Sequence, residues 1–204
     1  MRTKTTKAQN DRGEALGTRE RVVRAASRLM QRQGYDGTGI KQIAQEADAT
    51  LGSVYHFFPG GKQELAVAAV RHGDEEFAGI LREVLHAEPD PARALVACCR
   101  LLAEGLRTSD WADGCPVTAT ALGTAGRAPD IQRAAAEAFA RWRSLVAEAL
   151  RAAGIAETDA AELAHTVIST LEGAELAAQV SRSEEPLRIA GQHLARLADS
   201  YRPR

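Results

Sequence analysis

The sequence predicts an all-α fold, and three observations carry that prediction. Aromatic residues make up only 4% of the chain while Ala and Leu are abundant and Val and Ile sparse, so strand formers are scarce and helix formers plentiful. Apolar residues recur every three or four positions through long stretches, as in Ile131, Ala135, Ala138, Trp142, Leu145 and Ala149. Capping and breaking residues stand at the ends of such stretches: Thr18, Thr38, Thr50 and Asp90 at starts, Gly34 and Gly154 at ends. At 204 residues the chain is long enough for one sizeable core or for a small domain joined to a larger one.

Residues 1–17 are polar, charged and without periodicity, which predicts a mobile arm. Thr18 offers the cap of a first helix, whose stripe of Val22, Val23, Ala26, Leu29 and Met30 ends at Gly34. Thr38 is positioned to cap a short second helix carrying Ile40, Ile43, Ala44 and Ala47, and Thr50 a third running through Val54 to Phe57. Both are too short to persist alone, so they must pack on one another and on the first helix. Pro59-Gly60-Gly61 breaks the pattern, and from Lys62 a long fourth helix runs toward His86. Gly73 within it is either a tolerated glycine or the mark of a close helix contact.

Asp90 as cap and Pro91 at the first position open a fifth helix. The stretch "SDWADGCP" reads as a loop, and a short helix follows Pro116. Asp130 opens a long helix that Gly154 ends, Thr158 begins another with Leu163, Val167, Leu171, Ala174 and Ala178 inward, and Pro186 sits in the first turn of the last. About nine helices and no convincing strand result. They divide into a helix-turn-helix domain over 18–66 and a larger helical domain over 67–204.

The net charge of −1 hides an uneven distribution: residues 1–62 hold 11 Lys and Arg against 6 Asp and Glu, and the remainder 15 against 21. A basic first part suits a polyanion partner. Cys98, Cys99 and Cys115 form neither a disulfide framework nor a zinc spacing and read as structural thiols. No apolar run approaches the roughly 20 residues of a membrane span, and the N-terminus lacks the apolar core of a secretion signal, so a cytoplasmic protein is expected.

The chemistry concentrates in "IAQEADATLGSVYHFFPGGKQEL", residues 43–65. A helix-turn-helix needs a small residue where two helices cross, an abrupt turn, and apolar residues that fix the angle. Ala44 fills the first need, Ala47-Asp48-Ala49 the second, and Ile43, Ala47, Ala49, Val54 and Phe57 the third. If the third helix lies in a major groove, its first turn faces base edges. Gly52 then lets backbone approach DNA, Ser53 hydrogen-bonds a base and Leu51 touches a thymine methyl. Tyr55, His56, Thr38 and Thr50 suit phosphate contacts, and Lys62 stands where its charge and the amides of a helix start converge on an anion.

These residues resemble the DNA-binding signature of tetracycline-repressor-type (TetR family) regulators, at Thr38, Ile43, Ala44, Thr50, Gly52, Ser53, Val54, Tyr55, Phe58, Lys62 and Leu65. The first helix matches through Ala25, Ala26, Leu29, Gly34 and Tyr35, and "FPGGK" with "GCP" is similar to the branch of lincomycin- and multidrug-resistance repressors. One departure is Asp48 at a turn position usually held by Gly, where left-handed backbone costs on the order of 1 kcal/mol more than for Gly.

The resemblance implies a repressor of a palindromic double-stranded DNA operator, a homodimer through the last two long helices, and a small-molecule effector, largely apolar, held among the middle helices. Dimerisation also follows from geometry, since one reading helix covers only a few base pairs. Trp111, Phe139 and Trp142 either line an apolar pocket or are plain core, and His165 and Glu172 either supply its polar ends or form, with Gln179, a solvated or interfacial stripe. Cys115 near the pocket raises a redox reading, though nothing nearby in sequence lowers its pKa. No metal or cofactor is expected. No nucleophile triad or phosphate loop argues for an enzyme: Gly60-Gly61-Lys62 lacks the preceding strand of such a loop. A helical adaptor that has lost DNA binding is the remaining rival.

Overall fold

A computed structural model describes residues 16–202, so the expected arm lies outside the described residues except for its last two. Nine helices and no strand are found among the described residues. They are α1 (Thr18–Gly37), α2 (Ile40–Glu46), α3 (Leu51–Phe57), α4 (Gly61–Ala87), α5 (Pro91–Thr108), α6 (Pro116–Leu122), α7 (Pro129–Ala152), α8 (Glu157–Ser181) and α9 (Glu185–Ser200).

The short α2 and α3 exist because they share a core with α1 and the start of α4. Val22, Ala26 and Met30 of α1 meet Ile43, Val54, Phe58 and Leu65, all essentially removed from solvent. Arg21 adds a polar clasp, its Nε donating to the carbonyl of Ala47 at 3.0 Å and a terminal nitrogen to that of Asp48 at 3.2 Å. The helical backbone of α1 breaks at Gly34, where the sequence places its end, and a short further turn follows the kink. Gly34 takes φ 68° and ψ 177°, a conformation open to glycine, and helix resumes after it to Gly37.

Downstream, α4 continues unbroken through residue 66, so the expected domain boundary falls inside a helix. It packs on α1 at one end and on α7 at the other, and the body closes through α5 against α9, α7 against α8 and α8 against α9. Gly73 is a contact glycine: a Cβ there would stand 2.6 Å from Cγ of Pro116, at the start of α6. Asp90 caps α5 by accepting from the Arg93 amide at 3.0 Å, as expected. Thr18, Asp130 and Thr158 prove instead to lie inside their helices, preceded by Gly17, Ala128 and Ala156 without side-chain caps.

Candidate DNA-reading head and effector cavity

Thr50 sets the presentation of α3. Its Oγ1 accepts from the Ser53 amide at 3.0 Å and lies 2.9 Å from the Ser53 hydroxyl, so the first turn is pinned from its cap. Asp48 turns the chain into that cap with φ 47°, the left-handed conformation expected of this position. Beyond the cap, Leu51, Gly52, Tyr55 and His56 are exposed and Ser53 is half-buried, while Val54 and Phe58 face the core. The outer face of α3 is therefore a continuous accessible strip.

Two expectations for this region need correction. Thr38 is fully buried, its hydroxyl donating to the Gly34 carbonyl at 2.8 Å, and Gly39 is the residue before α2; Thr38 thus braces the α1 kink and has no hydroxyl to offer a phosphate. At the start of α4, the Gly60 amide is already bonded to Glu64 Oε2 at 2.8 Å and the Gly61 amide to the Phe58 carbonyl, which narrows the expected anion site. Lys62 lies back with Nζ 4.3 Å from the Tyr35 ring centroid, and desolvation lowers its pKa. Sequence reasoning passed over Lys41, exposed on α2 with no ion-pair partner among the described residues; a lone Lys in a polar stretch gave no pattern to read.

In the body, a cavity of about 320 Å³ opens between α4, α5, α7 and α8. Phe77, Ile80, Leu102 and Leu106 form apolar wall, and Trp142 closes one side while its indole Nε1 donates to buried Asp74 at 3.0 Å. Trp142 is thus both core and lining. Burial holds the Asp74 carboxyl above its usual range, against the pull of Arg141 and that indole donor. Phe139 stands behind the wall, stacking edge-on to Trp142 with centroids 5.0 Å apart, and Trp111 is half-buried off the wall with φ 66°.

Cys115, Glu172 and Glu175 meet at one end of this cavity, with their ligand-type atoms all within 4.8 Å of one another. Glu172 accepts from the Thr118 hydroxyl at 2.6 Å. Glu175 is 8% exposed and has no hydrogen-bond or ion-pair partner among the described residues; burial, then the neighbouring Glu172, pushes its carboxyl up to about 8. His165 is exposed and absent from the cavity, because seven residues along α8 carry it about 10 Å beyond Glu172. The redox reading of Cys115 also fails. Burial and the two carboxylates hold its thiol well above its ordinary pKa, and its sulfur caps α6 by accepting from the Thr118 amide. Glu175 was missed, although a charged residue on the apolar stripe of Leu171 and Ala178 was a legible signal.

A strained loop joins cavity and head. Asp110 and Trp111 both take positive φ between α5 and α6, and the loop is tied to α8 by Gln179 Nε2, which donates to the Ala112 carbonyl at 3.2 Å. On its other side, Gln31 of α1 donates to the Gly114 carbonyl, and Arg32 pairs with Asp113 at 2.9 Å.

A capped, outward-facing α3 set against α2 on a separate helical body defines the class of helix-turn-helix DNA-binding regulators. Residues 22–69 match the bacterial regulatory proteins of the tetR family, and residues 91–193 match the C-terminal domain of LmrA/YxaF-like transcriptional regulators. The HTH-type transcriptional regulator LmrA of Bacillus subtilis (strain 168) is 35% identical over 83% of this chain and 90% of its own length. A TetR transcriptional regulator from Chloroflexus aurantiacus superposes with a TM-score of 0.75 at 28% identity, over 88% of this chain and 92% of that one. Regulatory protein TetR from Rhodobacter sphaeroides shares the fold, with a TM-score of 0.79 at 24% identity over 88% and 98% of the two chains. The chain belongs to the TetR family of DNA-binding transcriptional regulators, with an LmrA/YxaF-like C-terminal domain.

Proposed function

We propose that the protein is a cytoplasmic repressor that binds a palindromic operator as a homodimer and is released by a small molecule held in the α4–α8 cavity. The observation that carries the DNA reading is the strip of Leu51, Gly52, Tyr55 and His56 exposed along a helix that Thr50 pins at its start. Leu51, Gly52 and Ser53 meet base edges, and Tyr55, His56, Lys41 and Lys62 serve the phosphates, Lys62 after leaving the Tyr35 ring. The division into a head over 18–66 and a body over 67–204 follows this split of tasks.

Pairing through α8 and α9 is supported by their uncovered apolar side chains. Leu176 is 53% and Val180 79% exposed one turn apart on α8, and Ile189 is exposed on α9. Effector control rests on the loop between cavity and head: a ligand that displaces Gly114 or Cys115 acts on Gln31 and Arg32 of α1. The ligand must bind the DNA-competent and released states with different affinity.

Selection of bound duplexes from a random pool, followed by footprinting, tests the reading. Recovery of a palindrome with half-sites about one helical turn apart, or a multiple of it, is the expected outcome. Recovery of no enriched sequence would favour the adaptor without DNA binding.

A further inference from the structure

We propose that the effector is an organic cation with an apolar or aromatic body, its charged group seated between Glu172 and Glu175. This rests on the reading of the α4–α8 cavity as the effector site and goes on to name the ligand's chemistry. The carboxylate end of the cavity holds a side chain more than nine-tenths buried, Glu175, that faces the cavity with no partner among the described residues. Glu175 and Glu172 set two carboxyl groups side by side with no cationic side chain lining the space among the described residues, an arrangement that a seated cation would complete.

The chemistry of the walls narrows what that something is. Among the described residues neither Lys nor Arg lines the cavity, and nearby Arg32 is committed to Asp113, so an anion finds no counter-charge there. A neutral apolar molecule fits the walls but leaves Glu175 as it was. A bare metal ion would find three donors of mixed type, one of them a thiol that already caps α6, at the edge of a space of about 320 Å³ suited to a larger body. An organic cation meets both features. Its charge sits with the carboxylates, and its body lies against Phe77, Ile80 and Leu102.

The charged surroundings of Glu175 are few. Among the described residues, Glu172 lies on its own helix and Cys115 ahead of α6; from α4 comes Glu76, paired with His72; from the loop comes Asp113, paired with Arg32. The α5 residues of the wall are Leu101, Leu102, Gly105 and Leu106, none of which titrates. With its carboxyl up at about 8, Glu175 is mostly protonated at pH 7 in the free protein, and a seated cation drives its proton off.

The test compares two probes on the full-length protein: 2-naphthylmethyl-trimethylammonium and its neutral carbon isostere, in which a quaternary carbon replaces the nitrogen. Calorimetry in buffers of different ionisation enthalpy gives affinity and proton release together. The cation should bind about thirtyfold or more tighter than the isostere and release up to about one proton at pH 7. Glu175→Gln, and separately Glu172→Gln, should erase most of that preference while leaving the isostere's affinity in place, which also certifies the fold of each variant. Equal binding of both probes, or a preference untouched by both variants, overturns the inference while the cavity remains an effector site. Binding of neither probe overturns the cavity reading with it. Binding of Zn²⁺ alone that excludes the cation and is lost in Glu175→Gln overturns it in favour of a metal site.

Discussion

Asp48 and Thr50 decide how α3 leaves the turn. Asp48 holds φ 47°, so Asp48→Gly should stabilise the head by up to about 1 kcal/mol in thermal or denaturant unfolding, and Asp48→Val should destabilise it by more. Thr50→Ala removes the acceptor of the Ser53 amide and should cost about 1 kcal/mol, with looser operator binding measured alongside. Both residues were legible in the sequence, because caps and turns follow local rules that need no knowledge of the fold. Thr38 obeyed the same local rule and misled, since the left-handed Gly34 four residues earlier drew its hydroxyl inward. Glu175 makes a different prediction. Its folded pKa, about 8, exceeds the unfolded value, so the folded state binds the extra proton and stability falls as pH rises from about 4.5 to 8, then levels. Glu175→Gln should flatten that fall, matching wild type near pH 4.5 and gaining on the order of 4 kcal/mol at pH 8 in urea titrations.

Among the helices, α4 carries the most consequence, since it leaves the head and forms one wall of the cavity. Its Gly73 lies under the ring of Pro116, which is rigid and fixed at the start of α6, so the usual helical gain from alanine is outweighed by overpacking. Gly73→Ala should lower the melting temperature, with a cost of about 1–3 kcal/mol. Such a contact joins residues 73 and 116, far apart in sequence, and no local pattern distinguishes a contact glycine from a tolerated one. The stripes of α5, α7, α8 and α9 were readable for the opposite reason, as their periodicity is local. The loop between α5 and α6 was legible only as a loop. Its two left-handed residues and its ties to Gln31, Arg32 and Gln179 belong to tertiary structure. Arg32→Ala cuts one tie, and the factor by which the naphthylmethyl cation weakens operator binding should shrink about fivefold or more.

The whole molecule joins an exposed α3, a cavity with an acidic end, and an uncovered apolar face on α8 and α9. The turn-and-cap pattern of residues 43–65 and the basic excess of residues 1–62 pointed to a DNA partner, and the helical stripes to the body; the proposed charge of the ligand required seeing Glu172 and Glu175 converge in one space. Val180 is 79% exposed, so Val180→Asp should leave the protomer folded while sedimentation reports monomer and operator affinity collapses. The central claim is that the tip of α3 enters a DNA groove, and Gly52 tests it most directly. A Cβ at Gly52 would have only Thr50 Oγ1 near it, at 3.7 Å, an ordinary contact, and the position is exposed. Titration of Gly52→Leu against the selected operator should show an unchanged or higher melting temperature and an affinity at least about a hundredfold weaker. Wild-type affinity in that folded variant would contradict the account.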